Sequence, residues 1–336
     1  MKRRMLLVGA VLMVSFVGLN RMRTARNAVL APRGQGTGSN AVPAATGVSE
    51  AGTQGHRSPT SVSPVDPQPG SSPMAAVALE LQSRDQISME VKRDYVTVHH
   101  ESFDSYLATR DPALLKEAAA KYPNEPQVQF AVLSNNLFPE ERRKWIDALK
   151  TSDPGNSMGN YLSAAEFLKN GQREKAFEEL KLAMSKNRFD DYVPETFQNT
   201  QDFLRHAGIS ELGSRYASVR DLELGHLPDM KSIGTEVASE YERLENEQLH
   251  AEADELATLG LRLGQQMSLG DASRTLIGQL VGIAVEKEVL SVMDPARQHA
   301  GLPLPVDQMR SELQRQNDEL KDLVSGLHDV LVPLMA

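Results

Sequence analysis

Residues 157–188 read SMGNYLSAAEFLKNGQREKAFEELKLAMSKNR, and the turn-forming run Asp153-Pro154-Gly155-Asn156 stands before them. Ala164 and Phe167 fall on one face of a first helix, and Ala176, Leu180 and Ala183 on one face of a second. Gly171 sits between the two, where a tight reversal needs a residue free of a side chain. Two short amphipathic helices joined by so brief a turn pack side by side.

The same layout extends toward the N-terminus. Between Pro126 and Pro154 a helix is expected over Gln127–Leu137, and Pro139 opens another whose inner face carries Trp145, Ile146 and Leu149. Before it, Asp111-Pro112 has the form of a helix start, an N-cap acid followed by proline at the first helical position. Leu114, Leu115, Ala118 and Ala119 share one face of that helix.

Small residues at the helix crossings, a glycine turn and a proline boundary together make residues 123–188 resemble the tetratricopeptide repeat. Two positions depart from the family pattern: Asn160 stands where a tryptophan is preferred, and Arg188 where a proline is. The resemblance implies a helix-pair solenoid whose first helices line a concave face for a protein partner. It places Gln127, Phe130 and Ser134 of one unit and Met158, Tyr161 and Lys169 of the next on that face. Ordinary core is the competing reading for Phe130 and Tyr161, because aromatic residues at helical spacing usually pack inward.

The C-terminal third reads as longer helices. Ser232–Met267 is expected as one helix, with Ile233, Val237, Tyr241 and Leu244 on one face and Leu249, Ala253, Leu256 and Leu263 continuing after a phase shift. Asp271–Met293 and Val306–Leu331 follow, and short connections make the three antiparallel neighbours. Gly260 and Gly264 on one helix, with Gly278 and Gly282 on the next, suggest a close backbone approach, since each glycine costs ~1 kcal/mol in a helix interior. Gln279, Glu286, Lys287 and Glu288 exclude a membrane span over 276–293.

At the other end, Lys2, Arg3 and Arg4 precede the uncharged apolar run Met5–Leu19, and Arg21, Arg23 and Arg26 follow it. Such a run has the form of a targeting segment. It would rise about 24 Å as a helix, short of the ~30 Å hydrocarbon core unless its basic flanks reach to the headgroups. Three readings stay open: an uncleaved anchor oriented N-in and C-out, a signal cleaved near Ala31, and an interfacial helix. Residues 32–73 hold 7 Pro, 7 Gly, 7 Ser and 4 Thr, too little apolar surface to offset ordering, and are expected to be a disordered tether. As a flexible coil they would reach ~35 Å.

The organisation expected is therefore a signal-anchor over 1–27, a linker over 28–75, repeat-like helices over 76–228 and a long-helix bundle over 229–336. The fold class is all-α. An anchor places the body outside the cytoplasm, as in a bacterial periplasm, while cleavage would make it secreted.

Charge and composition narrow the function classes. Net charge is −9, and residues 76–336 carry 43 acidic against 28 basic residues, so the body repels phosphate and is not a nucleic-acid binder. The absence of cysteine removes disulfides, thiolate metal sites and thiol catalysis. Gly155-Asn156-Ser157-Met158-Gly159 matches G-x-S-x-G, but no strand precedes it and the run reads as a turn. Glu223/His226 and Glu247/His250 have the i, i+3 spacing of di-iron helices. Glu247, Glu252 and Asp254, however, belong to a charged stretch that reads as a solvated face. His99-His100 point to different sides of any regular element, and Gly34–Gly38 lacks the strand and helix of a phosphate loop. No catalytic residue, metal or cofactor is expected. The readings are a membrane-tethered scaffold for a protein partner, a self-associating structural component, and an enzyme of unrecognised type.

Overall fold

A computed structural model of the chain describes Phe103, Tyr106, Leu107 and residues 110–269 and 275–335, from 327 onward as backbone only. The apolar run 5–19, the 32–73 tether, Gly34–Gly38, His99-His100 and Asp271 lie outside the described residues. Among the described residues there are eleven α-helices and no strand. None of these helices is long and apolar enough to cross a membrane.

The first five helices each pack on the next: α1 (Pro112–Lys121), α2 (Pro126–Ser134), α3 (Arg142–Ser152), α4 (Met158–Lys169) and α5 (Arg173–Met184). Asp111 caps α1 as expected, its Oδ1 accepting from Ala113 N at 2.9 Å. α2 stops short of Leu137, the expected end. Asn136 takes a left-handed φ of 48° and Leu137 N donates back to Val132 O at 3.0 Å, closing the helix with a Schellman turn. Gly171 and Gly208 close α4 and α6 (Val193–His206) with the same bond, from Gln172 N to Phe167 O and from Ile209 N to Leu204 O.

The helix expected over 232–267 is two helices. α8 (Leu227–Asn246) ends where Gln248 turns left-handed at φ 63° and Leu249 N donates to Leu244 O at 2.9 Å, and α9 (His250–Leu269) starts afresh. The phase shift in the apolar pattern is this break, and Leu249, placed on the apolar face by its spacing, is 39% exposed beside it. α10 (Leu276–Val292) begins with Thr275 as its cap, and α11 (Val306–Met335) runs back along it. α7 (Glu211–Arg220) pairs with α6, and the two carry a small apolar cluster of their own around Phe203, Leu204 and Ala217.

The backbones of α9 and α10 meet at two glycines. A Cβ on Gly282 would lie 2.6 Å from Gly264 O, and one on Gly264 would lie 2.8 Å from Gly282 O. One turn away, a Cβ on Gly260 would strike Val237 of α8 and Val289 of α10 at 2.8 and 2.9 Å, so α9 is held closely between its two neighbours. Gly278 serves the helix start instead, its N–H filling the Thr275 cap at 3.0 Å. α8 and α9 also lie on α4 and α5, and one buried apolar cluster runs from Phe103 to Leu320, across residue 228.

Candidate functional site

The face expected to form a groove is covered by the chain itself. Phe130 is 3% exposed, its ring centroid 5.4 Å from Tyr192 and 5.2 Å from His226. Met158 is fully buried. Tyr161 is 1% exposed: its hydroxyl donates to Gln266 Oε1 of α9 at 2.6 Å, and its ring meets Phe189 edge-on. Lys169 is exposed but pairs with Asp229 of α8 at 2.8 Å, and Arg142 holds the same carboxylate. Gln127 is half-buried. Ser134, also half-buried, has a hydroxyl that meets no hydrogen-bond partner.

The two residues that depart from the tetratricopeptide pattern, Asn160 and Arg188, each make polar contacts of their own. In place of a tryptophan, Asn160 is buried and donates to Glu179 Oε2 at 2.7 Å, while Lys150 reaches the other oxygen of Glu179. In place of a proline, Arg188 binds Asp153 through its guanidinium, and its carbonyl accepts from Ser157 N at 2.8 Å. Asn156 completes this clamp: its Oδ1 accepts from Met158 N and Asp190 N, and its Nδ2 donates to Asp190 O. Tyr192, left-handed at φ 53°, donates its hydroxyl to Asp153. Burial, and then that carboxylate, push the Tyr192 phenol well up, so it stays protonated.

Ser157 is fully buried at the start of α4, behind α3 and a turn, which is no setting for a presented nucleophile. His250 is exposed and contacts Glu245 at 3.1 Å. Glu223 is engaged by Arg110 and Tyr106, and His226 is buried edge-on to Phe130 with its Nε2 3.5 Å from Asp191. No cluster of metal-ligating side chains occurs among the described residues.

The sequence reading of Asp254 as part of a solvated face is corrected: it is 5% exposed. Its carboxylate accepts from His299 Nδ1 at 2.7 Å, Arg297 Nη2 at 2.8 Å and Ala300 N at 2.8 Å. Burial alone would raise its pKa, but these donors and the Arg297 charge hold it below the ordinary carboxylate range. The same Arg297 nitrogen also reaches Tyr241 and Glu245, so the 294–300 connection is tied to both α8 and α9.

Two open cavities are lined by described residues. The first, about 410 Å³, lies between Tyr106, Arg110, Leu115, Ser134, Leu137 and the 221–225 segment. The second, about 310 Å³, lies where Met184 at the end of α5 meets Leu261, Arg262 and Gln265 of α9 and the turn Gly301–Pro303. Met184 is 41% exposed, and so is Leu304 (43%) just beyond that turn. Neither cavity was legible in the sequence, because each draws its walls from segments far apart in the chain. No family model, curated protein or solved structure matches this chain.

Proposed function

We propose that this protein is a non-enzymatic helical scaffold that binds a protein partner, with its first helix pairs related to tetratricopeptide repeats and its N-terminal apolar run serving as a membrane tether. The observation that carries the reading is the cavity between α5, α9 and the 301–303 turn. Met184, Leu261, Leu302, Pro303 and Met309 give it apolar walls, Met184 is 41% exposed, and Arg262 of α9 is exposed with no hydrogen bond or ion pair among the described residues. On an otherwise acidic body, that arrangement suits a segment that offers an apolar side chain next to an acidic one. Tyr161 and Lys169 already engage Gln266 of α9 and Asp229 of α8, which supports placing the docking surface at this edge instead.

The test uses the full chain as bait beside two variants, Arg262→Glu and Met184→Asp. A partner that binds the parent saturably and is lost by both variants, at unchanged helicity, supports the reading. A partner held equally by all three sinks it. Self-association is the second reading, favoured by the register of α11. Arg310 lies beside Leu290 and Gln314 beside Lys287, so the helix outruns the start of α10 in its last turns. A mass in solution above that of one chain selects that reading.

A further inference from the structure

The cavity beside Arg110 holds an unsatisfied pair of donors. Arg110 stands in left-handed backbone at φ 59°, with its own N–H bonded to Tyr106 O at 2.7 Å. Its guanidinium carbon lies 5.3 Å from the centre of the Tyr106 ring. Nη1 donates to Glu223 Oε1 at 2.7 Å, and the Tyr106 hydroxyl donates to that same oxygen. The other edge of the guanidinium, Nε and Nη2, presents two parallel N–H groups, both buried and neither with an acceptor. Ser134 Oγ, on the wall of the same cavity, is a third buried polar atom without a partner. Buried donors are nearly always satisfied, and these three belong to two residues that line one cavity, where an acceptor could satisfy them.

The Nε/Nη2 edge is the one that grips a carboxylate with two bonds at once. Leu115, Leu137, Leu222 and Leu224 give the cavity an apolar side, while Asn135 and Asp221 add polar wall. We propose that this cavity binds a small organic carboxylate with an apolar body, its two oxygens on Arg110 and one of them also reached by Ser134. The nearby acids do not oppose this. Glu223 is already held by Arg110 and Tyr106, and Asp221 pairs with Arg220 at 2.8 Å. Gly225 sets the cavity's depth: a Cβ there would fall 2.0 Å from Ser134 O, so only glycine lets the 221–225 segment close against α2. The site is separate from the α5–α9 cavity, and either can fail without the other.

A free acid and the chain end of a peptide share this chemistry. Calorimetric titration of the full chain with hexanoate and with glycyl-leucine, each against its uncharged counterpart hexan-1-ol or glycyl-leucinamide, separates the two sources. Saturable binding of either acid with no binding of its neutral counterpart is expected. Arg110→Lys keeps the charge but loses the paired donors and should weaken binding roughly tenfold or more. Ser134→Ala should weaken it about threefold. Absent binding of both acids, equal binding of the neutral compounds, or unchanged affinity in both variants overturns the proposal. Should Arg110→Lys lose helicity, the acid-against-neutral contrast and Ser134→Ala decide on their own.

Discussion

The buried Asp254 carboxylate accepts hydrogen bonds from three residues, Arg297, His299 and Ala300, and His299 meets an oxygen at each ring nitrogen, Asp254 Oδ1 at 2.7 Å and Asp294 O at 2.8 Å. Because the folded-state pKa of Asp254 lies below the ordinary 3.8, its contribution to stability is fully present above that value and is lost as pH falls through the lower folded value. Asp153 follows the same rule: burial raises it, but the Tyr192 hydroxyl, Arg188 and Asn156 together bring it down. Melting temperature should therefore drop steeply below about pH 4. Asp254→Asn should destabilise the fold by about 1–3 kcal/mol at neutral pH, because Arg297 keeps Glu245 but the buried anion that Arg297, His299 and Ala300 N share is lost, and its deficit should shrink in acid. Thermal melts of parent and variant between about pH 7 and pH 2.5 check both points, and a pH-independent deficit would show that the carboxylate's charge is not what matters.

Among elements, the crossing of α9 and α10 is the most sensitive to added volume. Gly282→Ala would drive a methyl group into Gly264 O and Ser268 N, both backbone atoms that cannot swing aside. It should destabilise the protein by about 1–3 kcal/mol despite the better helix propensity of alanine. Gly155→Ala, where nothing lies within 4 Å, should be nearly neutral. Denaturant midpoints of the two variants measure the contrast, and equal midpoints would mean the helices sit further apart. The glycine spacing was readable in the sequence, but the pairing was not. Gly264 and Gly282 make the crossing, while Gly278 belongs to the Thr275 cap. The end of α8 was visible only as a slip in apolar phase, because its left-handed residue is glutamine and not the glycine that usually marks such a turn. Asp254 was misread for a related reason: its neighbours in sequence are charged and exposed, and the arginine and histidine that bury it lie more than forty positions away.

At the largest scale, helical periodicity and proline punctuation were enough to foresee that the described residues are all-α, since they depend on local spacing alone. What covers each helix face is a matter of tertiary contact, and so the contacts of Tyr161 with α9 and Lys169 with α8 were out of reach of the sequence. The uneven distribution of core has a dynamic consequence. α6 and α7 keep a small cluster apart from the main one, so their amides should exchange with solvent faster than those of α4 or α9. Hydrogen-exchange mass spectrometry resolves this, and uniform protection would show that the pair opens only with the whole fold.

Tyr161 and Lys169 of α4 reach Gln266 and Asp229 in the C-terminal third, and the core passes residue 228 without interruption. The two halves thus stand to each other as lock and bolt, and a gene cut at that point offers a route to conditional assembly. Fragments ending at 228 and beginning at 229 should each be poorly soluble when expressed alone and should reconstitute one particle when expressed together. Fused to the halves of a split reporter, they would make a sensor whose signal tracks the meeting of its own two pieces.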